Sequence, residues 1–410
     1  MAEASAAGPA LLLQSPQFLE DPYPVYAMFR KTNPVFRAPI PGHTGPGAFL
    51  LTRYAEIQHV LRDGRFSADR RRAALLEENA DRIPAALIGE EGGLRSMLIM
   101  DPPDHTRVRG LVSKAFTPRR VAELRPRIEE IVDELLDDAA RGGELEVIGD
   151  FAAPLPAIVI AELLGVPAED HRTFKQWSSE LIALAPLADP SRLGEVQQKL
   201  DRILDYLRGI IAERRAAPRD DLISAMIAAQ EERDALSDAE LLATSNLLLI
   251  AGHETTTNLI GNGLLALLRH PGELARLRAH PELVRSAVEE LLRFDSPVQA
   301  TGRVATEDVE LGGERVGKGA LLITVIGAAN RDPEIFPDPD RLDVGREDNR
   351  HLSFGFGTHF CLGAPLARLE GELAFRALLA RFPKLELATD AVRHRPNPFL
   401  RGLEALPVRV

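Results

Sequence analysis

Residues 351–368 read HLSFGFGTHFCLGAPLAR and contain Cys361, the one cysteine in 410 residues. Gly355, Gly357 and Gly363 surround it. Glycine accepts positive φ and close backbone approach, so the stretch describes a tight loop wrapped under something. Past Gly363 the period changes, and Leu362, Leu366, Leu369, Leu373, Ala377 and Ala380 recur at helical spacing. Cys361 therefore sits where a glycine-rich loop hands over to a helix, whose first N–H groups favour a thiolate. A lone cysteine is by default a small buried hydrophobe. A phosphate cradle is the other ordinary use of such a loop. The dinucleotide pattern needs glycine at 360, where Phe360 stands, and no lysine occupies the Walker position. What remains is a thiolate in a protected turn beside the flat, apolar Phe354, a setting that suits a soft metal ligand.

Composition narrows the class. The hydrophobic fraction of 45% supports a sizeable core. With no Ser/Gly linker, low-complexity run or repeat, the expected organisation is a flexible N-terminus at 1–14 and one domain over 15–410. The formal charge of −12 disfavours nucleic acid as a partner. A single cysteine excludes an internal disulfide framework and suits a reducing compartment. The N-terminus lacks a basic n-region, and no apolar stretch is read as reaching the roughly 18 residues of a membrane span. The expectation is a cytoplasmic protein without a membrane anchor.

Four further stretches carry chemistry. His105 and Arg109 lie four apart on one helical face, where two donors can hold an anion, although such a pair is ordinarily solvated surface. From His105 to Arg127, seven Lys/Arg face the single acid Glu123, a local balance of +6 that could steer an acidic partner. Thr117-Pro118 opens a helix expected to run to about Ala140. Residues 151–231 are helical by period, with breaks at 165–167, 186–190 and 218, and His171 and Trp177 read as structural. Ser237-Asp-Ala-Glu240 is a capping box for the longest helix, about 50 Å, ending near His270. Its middle, AGHETTTN (251–258), places glycine, a carboxylate and three threonines in an apolar helix, against local preference. Rules broken together mark function. A zinc-protease reading of His253-Glu254 fails because residue 257 is Thr257. Glu290 and Arg293, three apart, would ordinarily be a surface pair worth roughly 0.2–0.5 kcal/mol. Short strands are expected at 35–37, 49–52, 298–301, 309–311 and 321–325.

FGFGTHFCLG (354–363) resembles the cysteine loop of the cytochrome P450 haem-thiolate monooxygenases, with Phe354, Gly355, Gly357, Cys361 and Gly363 on the family pattern and His359 at a position common in bacterial members. The resemblance extends over about residues 15–410, through Glu254-Thr255, Glu290-x-x-Arg293 and the Pro/Asp-rich segment 331–346. It implies a mainly α fold with small β-sheets, a triangular prism, and Cys361 as proximal ligand of haem b, where thiolate donation favours O–O cleavage. It further implies that His105, Arg109, Arg303 and His359 hold the haem propionates and that Ala251 lies against the haem. Glu254 and Thr255 would deliver protons to dioxygen, and Glu290–Arg293 would lock the core near the loop. Leu98, Leu247, Ile250, Ala251, Val298, Gln299 and Leu400 are implied to line an apolar substrate pocket, with a variable segment at 66–100 and a mobile lid at 186–190. NAD(P)H electrons would arrive through ferredoxin reductase and a ferredoxin, since the chain has no flavin or iron–sulfur motif. A monomer with a role in secondary metabolism is the implied setting. A peroxide-driven enzyme is the near alternative, and a haem sensor the distant one. Glu254-Thr255 argues against the first.

Overall fold

The strand Ala48–Leu51 is buried along its whole length, and this organises half of the protein. Phe49 and Leu51 enter one core cluster with Ile57, Leu322, Phe336 and Leu352. Leu50, pointing the other way, joins Phe18, Tyr26, Phe29 and Val325 in a second. Alternation across a pleated strand produces that division, and each fully buried large side chain contributes about 1.5–3 kcal/mol. The computed structural model describes residues 15–38, 47–74, 90–91, 94–114, 116–139, 143–170, 173, 176–177, 180, 193–231 and 236–410. The N-terminal 14 residues, His171, about half of the variable segment (75–89 and 92–93) and the expected lid at 186–190 lie outside them.

The chain forms two compact units. The first takes Met1–Asp81, Asn258–Cys361 and Leu385–Pro407. Its five-stranded sheet runs in the order Val35–Ala38, Ala48–Leu51, Leu321–Thr324, Thr301–Ala305, Phe66–Ser67. Only the pairing of Leu321–Thr324 with Ala48–Leu51 is parallel. Strands are found where alternation predicts them, with one correction. Val298–Thr301 is not a strand: Val298 makes a single bridge to Leu400, and the ladder begins at Thr301. Between them Gln299 donates its N–H to Phe399 and accepts from Gly327, bonds that belong to no sheet.

The second unit takes Arg82–Thr257, Leu362–Lys384 and Val408–Val410, and is mainly helical. Its helices include Asp104–Ser113, Pro154–Leu164, Leu193–Ala216 and Ala364–Arg381. The helix expected over 118–140 is two helices, Pro118–Glu123 and Arg125–Ala139. Pro126, without an N–H, cannot continue the first and instead starts the second. Thr117 caps the first through its hydroxyl. Gly165, at φ +84°, ends Pro154–Leu164 in the left-handed conformation, and the buried Arg214 donates to its carbonyl while pairing with Asp221. Trp177 packs edge-on to Tyr206, 5.9 Å between rings, as a structural residue would.

Contrary to expectation, Val147–Leu164 is long and apolar enough to match a membrane span. It is a π-helical turn, Val147–Ala152, followed by an α-helix that starts at Pro154, and most of it is buried inside the protein. That burial is what a core segment requires.

The long helix runs unbroken from Asp238 to Arg269. Its capping box forms as the sequence predicts: Ser237 N–H donates to Glu240 Oε2 at 2.8 Å, and Glu240 N–H to Ser237 Oγ at 3.2 Å. Gly252 is needed for packing, since a Cβ there would meet Ile160 Cγ1 at 3.0 Å.

Candidate active site

In the first unit the cysteine loop is held by its own backbone. Gly355 and Gly357 both sit at φ +71°, and a Cβ on Gly357 would come within 2.7 Å of the Leu61 carbonyl. Gly355 N–H donates to Leu352, Phe360 N–H to Gly357, and Cys361 N–H to the Phe354 carbonyl at 2.8 Å. Cys361 is an exposed residue at the end of this loop. A cysteine used as a core hydrophobe would be covered, so this exposure favours the ligand reading. Phe354 contacts His351 and Phe360. Gly363 is the N-cap of Ala364–Arg381, so the handover from loop to helix is where the spacing places it.

Glu290 and Arg293 are fully buried, not a surface pair. Arg293 forks onto the carboxylate at 2.7 and 2.8 Å and donates to the carbonyls of Asn330 and Pro339 at 3.0 and 2.8 Å. Glu290 also accepts from Arg346, Asn349 and the Asp343 N–H. The pair thus pins the Pro/Asp-rich segment. Asn330 carries the connection onward, bonding Ser353 Oγ and the Leu352 N–H at 2.8 and 2.7 Å. Ser353 Oγ donates to the Leu292 carbonyl, which closes the circuit at the base of the cysteine loop. Asn330 escaped the sequence reading, which had no signal for it beyond an asparagine before Arg331-Asp332-Pro333.

In the second unit, Leu247, Ile250, Gly252 and Thr255 are half-exposed and Ala251 is exposed, while the surrounding helix is buried. This spacing marks one face left accessible. The threonines fit the helix by back-bonding: Thr255 Oγ1 donates to Ala251 O at 3.1 Å and Thr257 Oγ1 to His253 O at 3.0 Å. Thr256 and Thr257 are buried, so Thr255 alone of the three presents itself on the accessible face. Glu254 is buried beside it, 4% exposed.

Glu370 is a second buried acid, on Ala364–Arg381 and 1% exposed. Burial pushes its carboxyl up to about 8, against a smaller lowering by the Thr256 hydroxyl. Its sequence signal was a glutamate one turn beyond Leu366 and one before Leu373, inside the apolar stripe.

Of the anion-holding candidates, His105 is buried and Arg109 half-buried one turn on, so the shared face is real. Arg303 lies in the sheet, 6% exposed, with Nη1 donating to Gly302 O. His359 is half-buried in the cysteine loop.

The basic run does not survive as a run. Arg107 pairs with Glu240, Arg125 with Glu372, Arg127 with Glu162 and Glu130, and Arg119 with Glu123. Arg120 is exposed and has no acidic partner among the described residues. The +6 balance stopped at Arg127 and so missed both the acids further along the same helix, Glu129, Glu130 and Glu134, and those of other helices, Glu162, Glu240 and Glu372.

Leu98 is exposed on the turn Met97–Ile99, and Val298 and Leu400 are half-buried across their bridge. Gln299 is a correction: it is 2% exposed, its amide accepts from Tyr26 and donates to Ser296 O and Tyr23, and it serves the buried tyrosine cluster.

The donor set fits haem. One exposed cysteine suits its iron, and among the described residues no cluster of three His, Cys, Asp or Glu could hold a bare metal ion instead. The family model for cytochrome P450 matches residues 25–403. The polyketide biosynthesis cytochrome P450 PksS of Bacillus subtilis is 44% identical over 399 residues, covering 96% of each chain. The 6-deoxyerythronolide B hydroxylase of Saccharopolyspora erythraea is 43% identical over 406 residues, 97% of this chain and 98% of that one. The structure of myxobacterial cytochrome P450 CYP267B1 in complex with myristic acid superposes with a TM-score of 0.86 at 42% identity, covering 97% and 98% of the two chains.

Proposed function

Since the chain belongs to the cytochrome P450 family and is a monooxygenase of that family, we propose that it oxidises an apolar organic molecule with electrons relayed from NAD(P)H by a ferredoxin reductase and a ferredoxin. A substrate C–H becomes C–OH with one atom of dioxygen, and the other leaves as water, taking two protons and two electrons. The observation that carries this reading is the exposed Cys361 on a loop fixed by two left-handed glycines and anchored to the Glu290–Arg293 circuit. Haem b, when bound, supplies the iron at which dioxygen is activated.

The protein's own residues do the rest. Cys361 gives the thiolate ligand. His105, Arg109, Arg303 and His359 supply the cations and donors for the propionates. Thr255 Oγ1 holds a proton on the accessible face of the long helix, and the Glu254 carboxyl restores it. Leu247, Ile250, Val298 and Leu400 give the substrate an apolar lining, which excludes water from the reacting atoms. One relative's name places it in polyketide biosynthesis, and another is described with myristic acid. Both names favour a largely hydrocarbon substrate and a role in secondary metabolism. A nicotinamide-fed ferredoxin chain favours the cytoplasm as its site of work.

The test is spectroscopic. The reduced carbon monoxide complex should show the strongly red-shifted Soret band of thiolate-bound haem. Cys361→Ala should lose it, and a variant that keeps it would remove Cys361 from the iron. Product formation with NADPH, a ferredoxin and its reductase tests the electron route.

A further inference from the structure

Arg70 is a cation enclosed by protein with no carboxylate partner among the described residues. It opens the short turn Arg70–Arg72, directly after the edge strand Phe66–Ser67. That strand runs antiparallel to Thr301–Ala305 in the register Phe66↔Ala305, Ser67↔Val304. The chain is thereby carried toward Thr301, where the Arg70 side chain crosses the strand end. Its Nη2 lies 3.5 Å from Thr301 Oγ1, its only side-chain hydrogen bond among the described residues. Its Nε is buried and unbonded. A Cβ on Gly302 would meet Nε at 3.3 Å and Cδ at 3.6 Å, so glycine at 302 makes room for this guanidinium.

The contrast with its neighbours is informative. Arg71 and Arg72 both pair with Asp69, which also caps the turn. Arg70 turns away from it. Burial draws its guanidinium below the ordinary range, and no carboxylate opposes that shift. Part of its surface nonetheless stays accessible. An arginine keeps its charge in proteins, and an enclosed unpaired charge is costly. Its planar fork matches a carboxylate in two parallel bonds. Val298, three residues before Thr301 in the chain, is bridged to Leu400, and both half-buried side chains offer apolar surface.

We propose that Arg70 anchors the carboxylate of an acidic substrate whose body is hydrocarbon. This rests on the monooxygenase reading and narrows it from an apolar molecule to an apolar acid. The other carboxylate that could meet Arg70 is a haem propionate, since Arg303 stands on the same strand, and the experiment separates the two.

Holoenzyme is titrated with tetradecanoic acid and with methyl tetradecanoate, following the haem spin-state shift. The parent should bind the acid about tenfold or more tighter than the ester, the scale of a charge-assisted hydrogen bond. Arg70→Gln should abolish that preference while binding the ester within about twofold of the parent, and Arg70→Lys should restore part of it. Haem content per chain should stay at the parent's level in both variants. A parent that binds the acid no better than the ester overturns the proposal, as does an Arg70→Gln variant that keeps the preference. Loss of haem from Arg70→Gln, with acid preference intact in the remaining holoenzyme, assigns Arg70 to a propionate and also overturns it. A parent lacking the thiolate-type carbon monoxide band overturns the monooxygenase reading itself, and this one with it.

Discussion

Replacing Glu370 with glutamine should make the protein more stable at alkaline pH and leave it nearly unchanged at acid pH. Burial raises the folded-state pKa of this carboxyl from 4.5 to about 8. A carboxyl raised in this way stabilises the fold fully below its unfolded value and loses that contribution as pH climbs to the folded value. Across the interval the unfolded chain has released its proton while the folded chain still holds it. At 1.36 kcal/mol per pH unit, the loss is roughly 5 kcal/mol by pH 8 and roughly 3 kcal/mol by pH 7. No discount for solvent screening applies, because the side chain is 1% exposed. Glutamine keeps a carbonyl oxygen toward the Thr256 hydroxyl and has nothing to titrate. Urea unfolding followed by circular dichroism, on parent and Glu370→Gln from pH 5 to 9, measures the difference. The two curves should diverge from about pH 5 and run parallel again above about pH 8. A constant offset over the whole range would refute the argument, because it would mean that Glu370 has an ordinary pKa.

Arg293→Ala should cost about 3–5 kcal/mol, since it leaves Glu290 buried with an uncompensated charge, and Arg293→Lys should rescue little because an ammonium cannot fork; urea midpoints and haem yield read the effect. Thr255→Ala should lower product formed per NADPH oxidised while Thr256→Ala leaves it near the parent, because only Thr255 reaches the accessible face; the reverse pattern would move the hydroxyl's role one residue on. Arg120→Glu should slow reduction by an acidic ferredoxin, most at low ionic strength, because exposed charges are screened over about 8 Å at physiological salt; equal rates across a salt series would discard this docking surface.

The motifs were legible because their residues interact with near neighbours in sequence. The cysteine loop needs its glycines within a few positions, the capping box closes over three residues, and Glu290 reaches Arg293 within one turn. What the sequence hid comes from chain brought together over long separations. Arg127 has Glu130 within one turn, but a further partner, Glu162, comes from 35 positions on, and Arg107 takes Glu240 from 133 positions on. Gln299 looked like a pocket residue because nothing local revealed that Tyr26, 273 positions away, would take its amide. The fold was legible to the same degree. Strand and helix periods gave most elements, while the division at Leu124 needed Pro126 to be weighed as a start and not only as an interruption.

The threonine triplet shows how the two kinds of information combine. The sequence singles out residues 255–257 because three β-branched hydroxyl residues weaken a buried helix, but it ranks none above the others. Helical geometry turns successive residues by about 100°, so three in a row cannot share one face. Thr257 is buried and back-bonded, Thr256 is buried toward Glu370, and Thr255 emerges on the same stripe as Leu247, Ile250 and Ala251. A proton donor must reach the substrate side, and a buried acid must have a polar neighbour or remain neutral. One triplet therefore meets two surroundings at once: its first residue lies on the accessible stripe of the helix, and its second faces the enclosed carboxyl of Glu370. Exchanging Thr255 and Thr256 with serine, which keeps the hydroxyl, should be mild at both positions. Alanine should separate them, disturbing coupling at 255 and the pH dependence of stability at 256.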